Sequence, residues 1–420
     1  MTSLPRGPMR HWRLRRILAL LSTLVVLPIF SLVDPPDGQA EAALLLPTDD
    51  PFYQAEGPLA DVAPGTVLRT RTVTLAPTKV QLPVTATQVL YRTTGQLGEP
   101  AATVATVIRP PGSSGAVRLI SYQTAYDALG ARCDPSYTLR GGGPGSFMDT
   151  PIIAAYLAAG FTVVTSDYEG AERAYGAGLK SGYATLDGVR AALTALGAPS
   201  ATPVGMSGFS GGSIPTVFAA ELAPNYAPEL DIVGAAAGGA PVDLVSTVEY
   251  INGTQQWATL LPYLMTGMAR GFGIDMDPYL SDYGKHVFAE VADKCAPDGP
   301  KYPGMRIEQL LQPQYQDYRS VPAFASMIEA GRMGSAGTPK APVLLGAGNA
   351  DGTGDGVIVA ADTRELAADY CRRNVAASYM EYPGADHLVA GILFPPSAQA
   401  FLQARFDGAT FDNGCAALVR

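Results

Sequence analysis

Apolar residues along this chain fall into two rhythms. Short runs rich in Val, Ile, Leu and Ala recur at 104–108, 119–122, 161–166, 202–207, 232–236, 343–348 and 378–382. Bounded by turn-forming residues, such runs read as strands buried on both faces. Upstream, 66–75 and 80–91 pattern as a hairpin, and stretches such as 185–196, 214–222 and 359–370 carry helical spacing. Strands alternating with helices predict a mostly parallel sheet flanked by helices, an α/β fold. Between 242 and 336 the spacing stays helical, with Gly and Pro punctuation and no strand run. Because the chain leaves and re-enters between consecutive core strands there, a helical cap insertion is expected. It would lie over the carboxyl ends of the strands, where open α/β sheets bind ligands. The alternative is a second helical domain with no part in the chemistry. The expected organisation is therefore a signal segment at 1–42, core at 43–241 and 337–420, and the insertion at 242–336.

The first 42 residues stand apart. Arg10, Arg13, Arg15 and Arg16 precede an apolar run beginning Ile17-Leu18-Ala19, and Ala40-Glu41-Ala42 forms a small-residue cleavage pattern before Ala43. This is the layout of a secretory signal. A run of about 17 apolar residues sits at the lower limit for a membrane span, and Pro28 interrupts it, so cleavage and export are expected over a retained anchor. The whole chain carries a formal charge of -9. Removing the signal takes away five Arg and three acids, which leaves 24 basic against 35 acidic residues, or -11. An acidic surface lacks the footprint for nucleic acid, and a neutral lipid or small ester fits better, with transient contact at a lipid interface. The four cysteines contain no CxxC pair, which leaves zinc and dithiol redox motifs unsupported. In an oxidising compartment they are expected as disulfides, in any of three pairings.

The strongest chemical signal is Gly208-Phe209-Ser210-Gly211-Gly212. An apolar strand precedes this G-x-S-x-G motif and a helical run follows it, the strand–turn–helix setting that lifts a serine Oγ clear of a sheet. Ser210 is the expected nucleophile, and the N–H of Gly211 is half of an oxyanion hole. Ser207 is a rival, but Phe209 occupies the position where the turn requires glycine. Of the three histidines, His11 lies in the signal segment, His286 in the insertion, and His387 just after the run at 378–382. The last is where a general base belongs in this architecture. The acid should follow 343–348, where Asp351 and Asp355 both stand in a Gly-rich loop. Asp355 is preferred and Asp351 remains the alternative; the other would form the turn or cap a helix. Within the insertion, Tyr263, Leu264, Met265 and Met268 are read as core packing in preference to an acyl pocket.

Several collinear segments resemble the secretory lipases, the lipase-A-type α/β hydrolases of fungi and actinobacteria. These are Asp50-Pro-Phe-Tyr53, Ser121-Tyr-Gln-Thr-Ala-Tyr-Asp127, Cys133-Asp-Pro-Ser-Tyr137, Ser166-Asp-Tyr-Glu-Gly170, Ala184-Thr-Leu-Asp-Gly-Val-Arg190 and Tyr382-Pro-Gly-Ala-Asp-His387. The resemblance implies an α/β-hydrolase fold, a helical cap, and disulfides Cys133–Cys295 and Cys371–Cys415. It also implies that Asp127 joins Gly211 in the oxyanion hole; residues alone would make Asp127 a turn former. One departure concerns the acid, which in the family sits in a short Asp-x-x-Val-Pro loop. Here the loop is longer, lacks the proline, and has Asp355-Gly-Val-Ile-Val359 as its nearest match. The function expected is cleavage of carboxylic esters through an acyl-enzyme, with no cofactor and no metal. An acyltransferase with the same triad and a non-catalytic secreted binding protein on this scaffold are the alternatives.

Overall fold

The structure, a computed structural model, describes residues 44–113, 115–143 and 148–419. The expected signal segment lies outside the described residues. Nine strands form one sheet: β1 Val67–Val73, β2 Thr85–Thr94, β3 Pro100–Arg109, β4 Leu119–Gln123, β5 Thr162–Ser166, β6 Pro203–Phe209, β7 Asp231–Gly238, β8 Val343–Asn349 and β9 Ala377–Pro383. Their spatial order is β1-β2-β3-β5-β4-β6-β7-β8-β9. The first three strands and β5 pair antiparallel, and every pairing from β5 through β4 to β9 is parallel.

The parallel strands are apolar on both faces because both are covered. Successive side chains of a strand point opposite ways. Thus Leu119, Val164 and Met206 join one helical layer, while Ile120, Tyr122 and Val163 join the other. Helices α1 Asp149–Ala158, α2 Gly178–Leu196 and α3 Ser213–Tyr226 belong to the first half of the core. The insertion between β7 and β8 holds α4 Leu244–Ile251, α5 Leu260–Phe272, α6 Asp282–Val291 and α7 Pro322–Ala330. Helices α8 Ala360–Arg372 and α9 His387–Phe406 complete the second half. Side chains of the insertion do not form a separate core. Leu244, Ile251, Leu261 and Met268 share one apolar cluster with Ile214 and Phe218 of α3 and Leu366 of α8.

The two largest boundary differences from the sequence expectation each have a physical reason. Strand β2 begins at Thr85 and not at residue 80, since Pro83 has no N–H to give a ladder. Helix α2 begins seven residues before the expected 185. Its glycines look like breakers but serve close packing: a Cβ on Gly178 would come within 2.3 Å of the Phe218 ring. Helix α9 runs through Pro395 and Pro396. Burial of Phe394, Phe401 and Leu402 against the sheet contributes about 1.5–3 kcal/mol per side chain and offsets about 3 kcal/mol per interior proline.

Candidate active site

Strand β6 ends at Phe209, a short 3-10 turn spans Ser210–Gly212, and α3 follows directly. Ser210 has φ +54°, a left-handed conformation that costs a non-glycine residue energy and is tolerated only where packing enforces it. The enforcement comes from close backbone approach on both sides of the turn. A Cβ on Gly208 would lie 2.1 Å from the Gly212 carbonyl oxygen, and one on Gly212 would lie 2.1 Å from that of Gln123. Ser207 is buried within β6, away from any such turn.

The loop after β9 ends at Asp386, whose carboxylate caps α9 by accepting the Val389 N–H at 2.9 Å. His387 is therefore the first residue of that helix, fixed at its N-terminus. Its Nε2 lies 2.7 Å from Ser210 Oγ and its Nδ1 lies 2.8 Å from Asp355 Oδ2. The other oxygen, Asp355 Oδ1, accepts the N–H groups of Val357 and Ile358, each at 2.9 Å. The backbone closes the same link, with the His387 N–H donating to the Asp355 carbonyl at 2.8 Å. Asp355 is fully buried and His387 nearly so. Asp351 is exposed and does not reach the imidazole. It organises the loop, taking the N–H groups of Gly354 and Thr353, and those donors hold its carboxyl below the usual range. Its Oδ2 also accepts the Tyr250 hydroxyl at 2.9 Å. His286 stands exposed on α6 beside Glu290, remote in role from this cluster.

Asp127 follows β4 with φ +41°. A Cβ on Gly211 would lie 1.7 Å from Asp127 Oδ1, so the carboxyl packs directly on that glycine. Among the described residues Asp127 Oδ1 has no hydrogen-bond partner. Burial pushes the carboxyl up to about 7, partly offset by the His387 imidazole nearby and reinforced by Asp149. The disulfide Cys133–Cys295 ties the segment after Asp127 to the insertion, and the Ala296 N–H donates to the Asp127 carbonyl at 3.1 Å. Cys371–Cys415 closes the second pair, between α8 and the C-terminal turn. Ser210, His387 and Asp127 all face a cavity of 460 Å³ with mostly apolar walls, among them Tyr122, Met148, Ile152, Phe209, Trp257 and Leu260.

Residues 146–414 match the family model described as secretory lipase. The chain belongs to the secretory lipase family. It is 36% identical over 386 residues to a Mycobacterium tuberculosis protein named "probable inactive lipase", covering 88% of this chain and 84% of that protein. It is 32% identical over 400 residues to lipase A of Arthroderma benhamiae, covering 90% and 83%. Among solved structures, Candida antarctica lipase A in its closed state superposes with TM-score 0.81 at 30% identity, over 88% of this chain and 89% of that one. A rice cell wall degrading esterase of Xanthomonas oryzae, at TM-score 0.62 and 19% identity over 83% and 100% of the two chains, shares the fold. The α/β-hydrolase fold is thus established. As a member of a secretory family with two disulfides, this lipase-family protein is secreted.

Some residues at the site gave no signal in the sequence of this secretory lipase homologue. Trp257 stands edge-on to His387 with ring centroids 5.5 Å apart, and Phe209 stacks at a tilt with centroids at 5.1 Å. Tyr250 accepts the Gly356 N–H at 3.2 Å while donating to Asp351, and so braces the loop that carries Asp355. Of the four insertion residues weighed above, Leu264 lines a second, smaller recess at Ser210, whereas Tyr263 is fully buried in the core.

Proposed function

We propose that this protein is a carboxylic ester hydrolase working through an acyl-enzyme on Ser210, with His387 as general base and Asp355 as its orienting acid. The observation that carries the reading is the continuous relay Asp355–His387–Ser210, at 2.8 and 2.7 Å, opening on an apolar cavity. His387 Nε2 takes the hydroxyl proton as Oγ attacks the ester carbonyl. The Oγ–C bond forms and the C=O pair moves onto oxygen, toward the Gly211 N–H and a protonated Asp127. Each such donor is worth about 3 kcal/mol to the transition state. As the tetrahedral species collapses, the C–O bond to the alcohol breaks and His387 returns its proton to the departing oxygen. Water then repeats the sequence and frees the acid.

Asp355 is the acceptor partner of the imidazole. It fixes the imidazole tautomer with Nδ1–H toward the carboxylate and stabilises the imidazolium as it forms. Asp127 performs the opposite role and must be neutral to donate, which its raised pKa supports. The relative named inactive keeps a non-catalytic reading in view, but a binding protein has no need of a strained serine held against a buried His–Asp pair. Labelling by a fluorophosphonate tests the proposal. Wild type should label covalently and turn over p-nitrophenyl esters, and Ser210→Ala should do neither while keeping its melting temperature. Esterase activity surviving in Ser210→Ala would overturn it.

A further inference from the structure

Two cavities meet at Ser210, and they differ in size by an order of magnitude. One is the 460 Å³ chamber already described. The other is a recess of 30 Å³ bounded by Gly211, Ile251, Leu260, Leu264 and Ile358. Leu260 borders both and forms part of the wall between them. The chemistry assigns each its occupant. A carbonyl carbon bonded to Ser210 Oγ carries three other groups: the oxyanion, the leaving oxygen and the acyl chain. The leaving oxygen must sit within reach of His387, because that imidazole protonates it. His387 lines the large chamber and does not line the recess. The alcohol side is therefore the chamber. Of the groups given a part in the chemistry, the recess touches Ser210 and Gly211 and neither His387 nor Asp127, and it receives the acyl side.

We propose that this enzyme is selective for short acyl groups, of two or three carbons, esterified to bulky apolar alcohols. The inference rests on the ester-hydrolase reading above. A cavity of about 10–15 Å³ holds one water-sized group, so the recess holds about two beyond the carbonyl carbon. Leu264 sets that limit. It projects toward Gly176, where an added Cβ would lie 2.5 Å from Leu264 Cδ1 and 3.0 Å from Met268 Cγ. The backbone at Gly176 and the Met268 side chain thus back the leucine on that side.

The test is a series of p-nitrophenyl esters from acetate to palmitate, with wild type, Leu264→Ala and Leu260→Ala. In wild type, kcat/KM for acetate or propionate should exceed that for octanoate by about 100-fold, as a crowded pocket discriminates per added methylene. Leu264→Ala deepens the recess and Leu260→Ala joins it to the chamber. Each should raise the octanoate-to-acetate ratio by about tenfold, with fluorophosphonate labelling of Ser210 retained. A wild-type optimum at octanoate or longer overturns the proposal. So does a ratio unchanged in both folded variants. Should the variants fail to fold, the wild-type profile alone decides. Absence of both labelling and turnover on every ester would instead remove the hydrolase reading itself, an outcome distinct from a labelled enzyme that prefers long chains.

Discussion

Replacement of Asp127 by Asn separates a neutral donor from an ionisable one, and the site makes the consequence quantitative. Burial raises the Asp127 carboxyl from 3.8 to about 7. Below that pH the side chain is protonated and offers an O–H toward an oxyanion; above it the group becomes a carboxylate that repels one. At pH 9, two pH units above, about one molecule in 100 keeps the proton. Asparagine offers an N–H at every pH. Relative to Asp127→Asn, wild-type kcat/KM should therefore fall by about 100-fold between pH 6 and pH 9. Asp127→Ala, which has no donor, should lose about 100- to 1000-fold at pH 6, the cost of one oxyanion donor.

Linkage gives the same substitution a second readout. A carboxyl whose folded pKa exceeds its unfolded value stabilises the fold, relative to its ionised form, at low pH. That contribution is complete below about pH 4 and is lost as pH rises through about 7. The two pKa values are about three pH units apart, or about 4 kcal/mol at 1.4 kcal/mol per unit. Because the carboxyl faces a cavity of 460 Å³, solvent entering it would screen part of this, and about 1–4 kcal/mol is expected. Denaturant midpoints measured from pH 4 to 9 should thus fall more steeply for wild type than for Asp127→Asn. Superimposable pH–rate profiles for the two proteins up to pH 9, or near-normal turnover by Asp127→Ala, would refute the role given to this carboxyl.

Other outcomes follow from the same geometry. Asp355→Asn should lower kcat by about 10⁴ by presenting the wrong partner to Nδ1, whereas Asp351→Asn should stay within about tenfold of wild type; equal losses would mean the acid is misassigned. The Cys133–Cys295 bond closes a loop of 162 residues, worth up to about 5 kcal/mol through the entropy of the unfolded chain. Both of its cysteines line the chamber at Ser210, unlike Cys371 and Cys415. A Cys133→Ser/Cys295→Ser variant should therefore lose more esterase activity than Cys371→Ser/Cys415→Ser at a temperature where both remain folded, with turnover of a short-chain ester as the measure.

Much of this arrangement is legible along the chain, and what is not has a common cause. Parallel strands advertise themselves as uninterrupted apolar runs because both faces are buried, and all nine strands overlap the runs and the hairpin read from sequence. The turn at Ser210 is equally visible, since close backbone approach leaves glycine as the only residue at 208 and 212. Features decided by tertiary contact escape. Two prolines inside α9 look like a stop until Phe394 and Leu402 are seen against the sheet. The two aspartates four residues apart differ in nothing local. What separates them is that one faces His387, 32 residues away, while the other takes the hydroxyl of Tyr250, 101 residues away. Trp257 and Tyr250 reach the site from the insertion, where no short-range pattern marks them.

The division between core and insertion also divides the labour of the site. Ser210, His387 and Asp355 are carried by segments that leave the carboxyl ends of β6, β9 and β8 and enter helices or a tight hydrogen-bonded loop. Their spacing is set by a sheet buried on both faces, which few substitutions shift without unfolding it. Part of the wall at Ser210 has another origin: Ile251, Leu260 and Leu264 lie on α4 and α5 of the insertion, beside core residues such as Ile214 and Ile358. Side chains there can shrink or grow at the cost of local packing alone, about 2–5 kcal/mol for a large-to-small change. Selectivity can therefore change independently of the chemistry. Octanoate turnover gained in Leu264→Ala with the pH profile of acetate hydrolysis unaltered is the measurement that would expose this separation, and a shifted pH profile would show that the two parts are coupled.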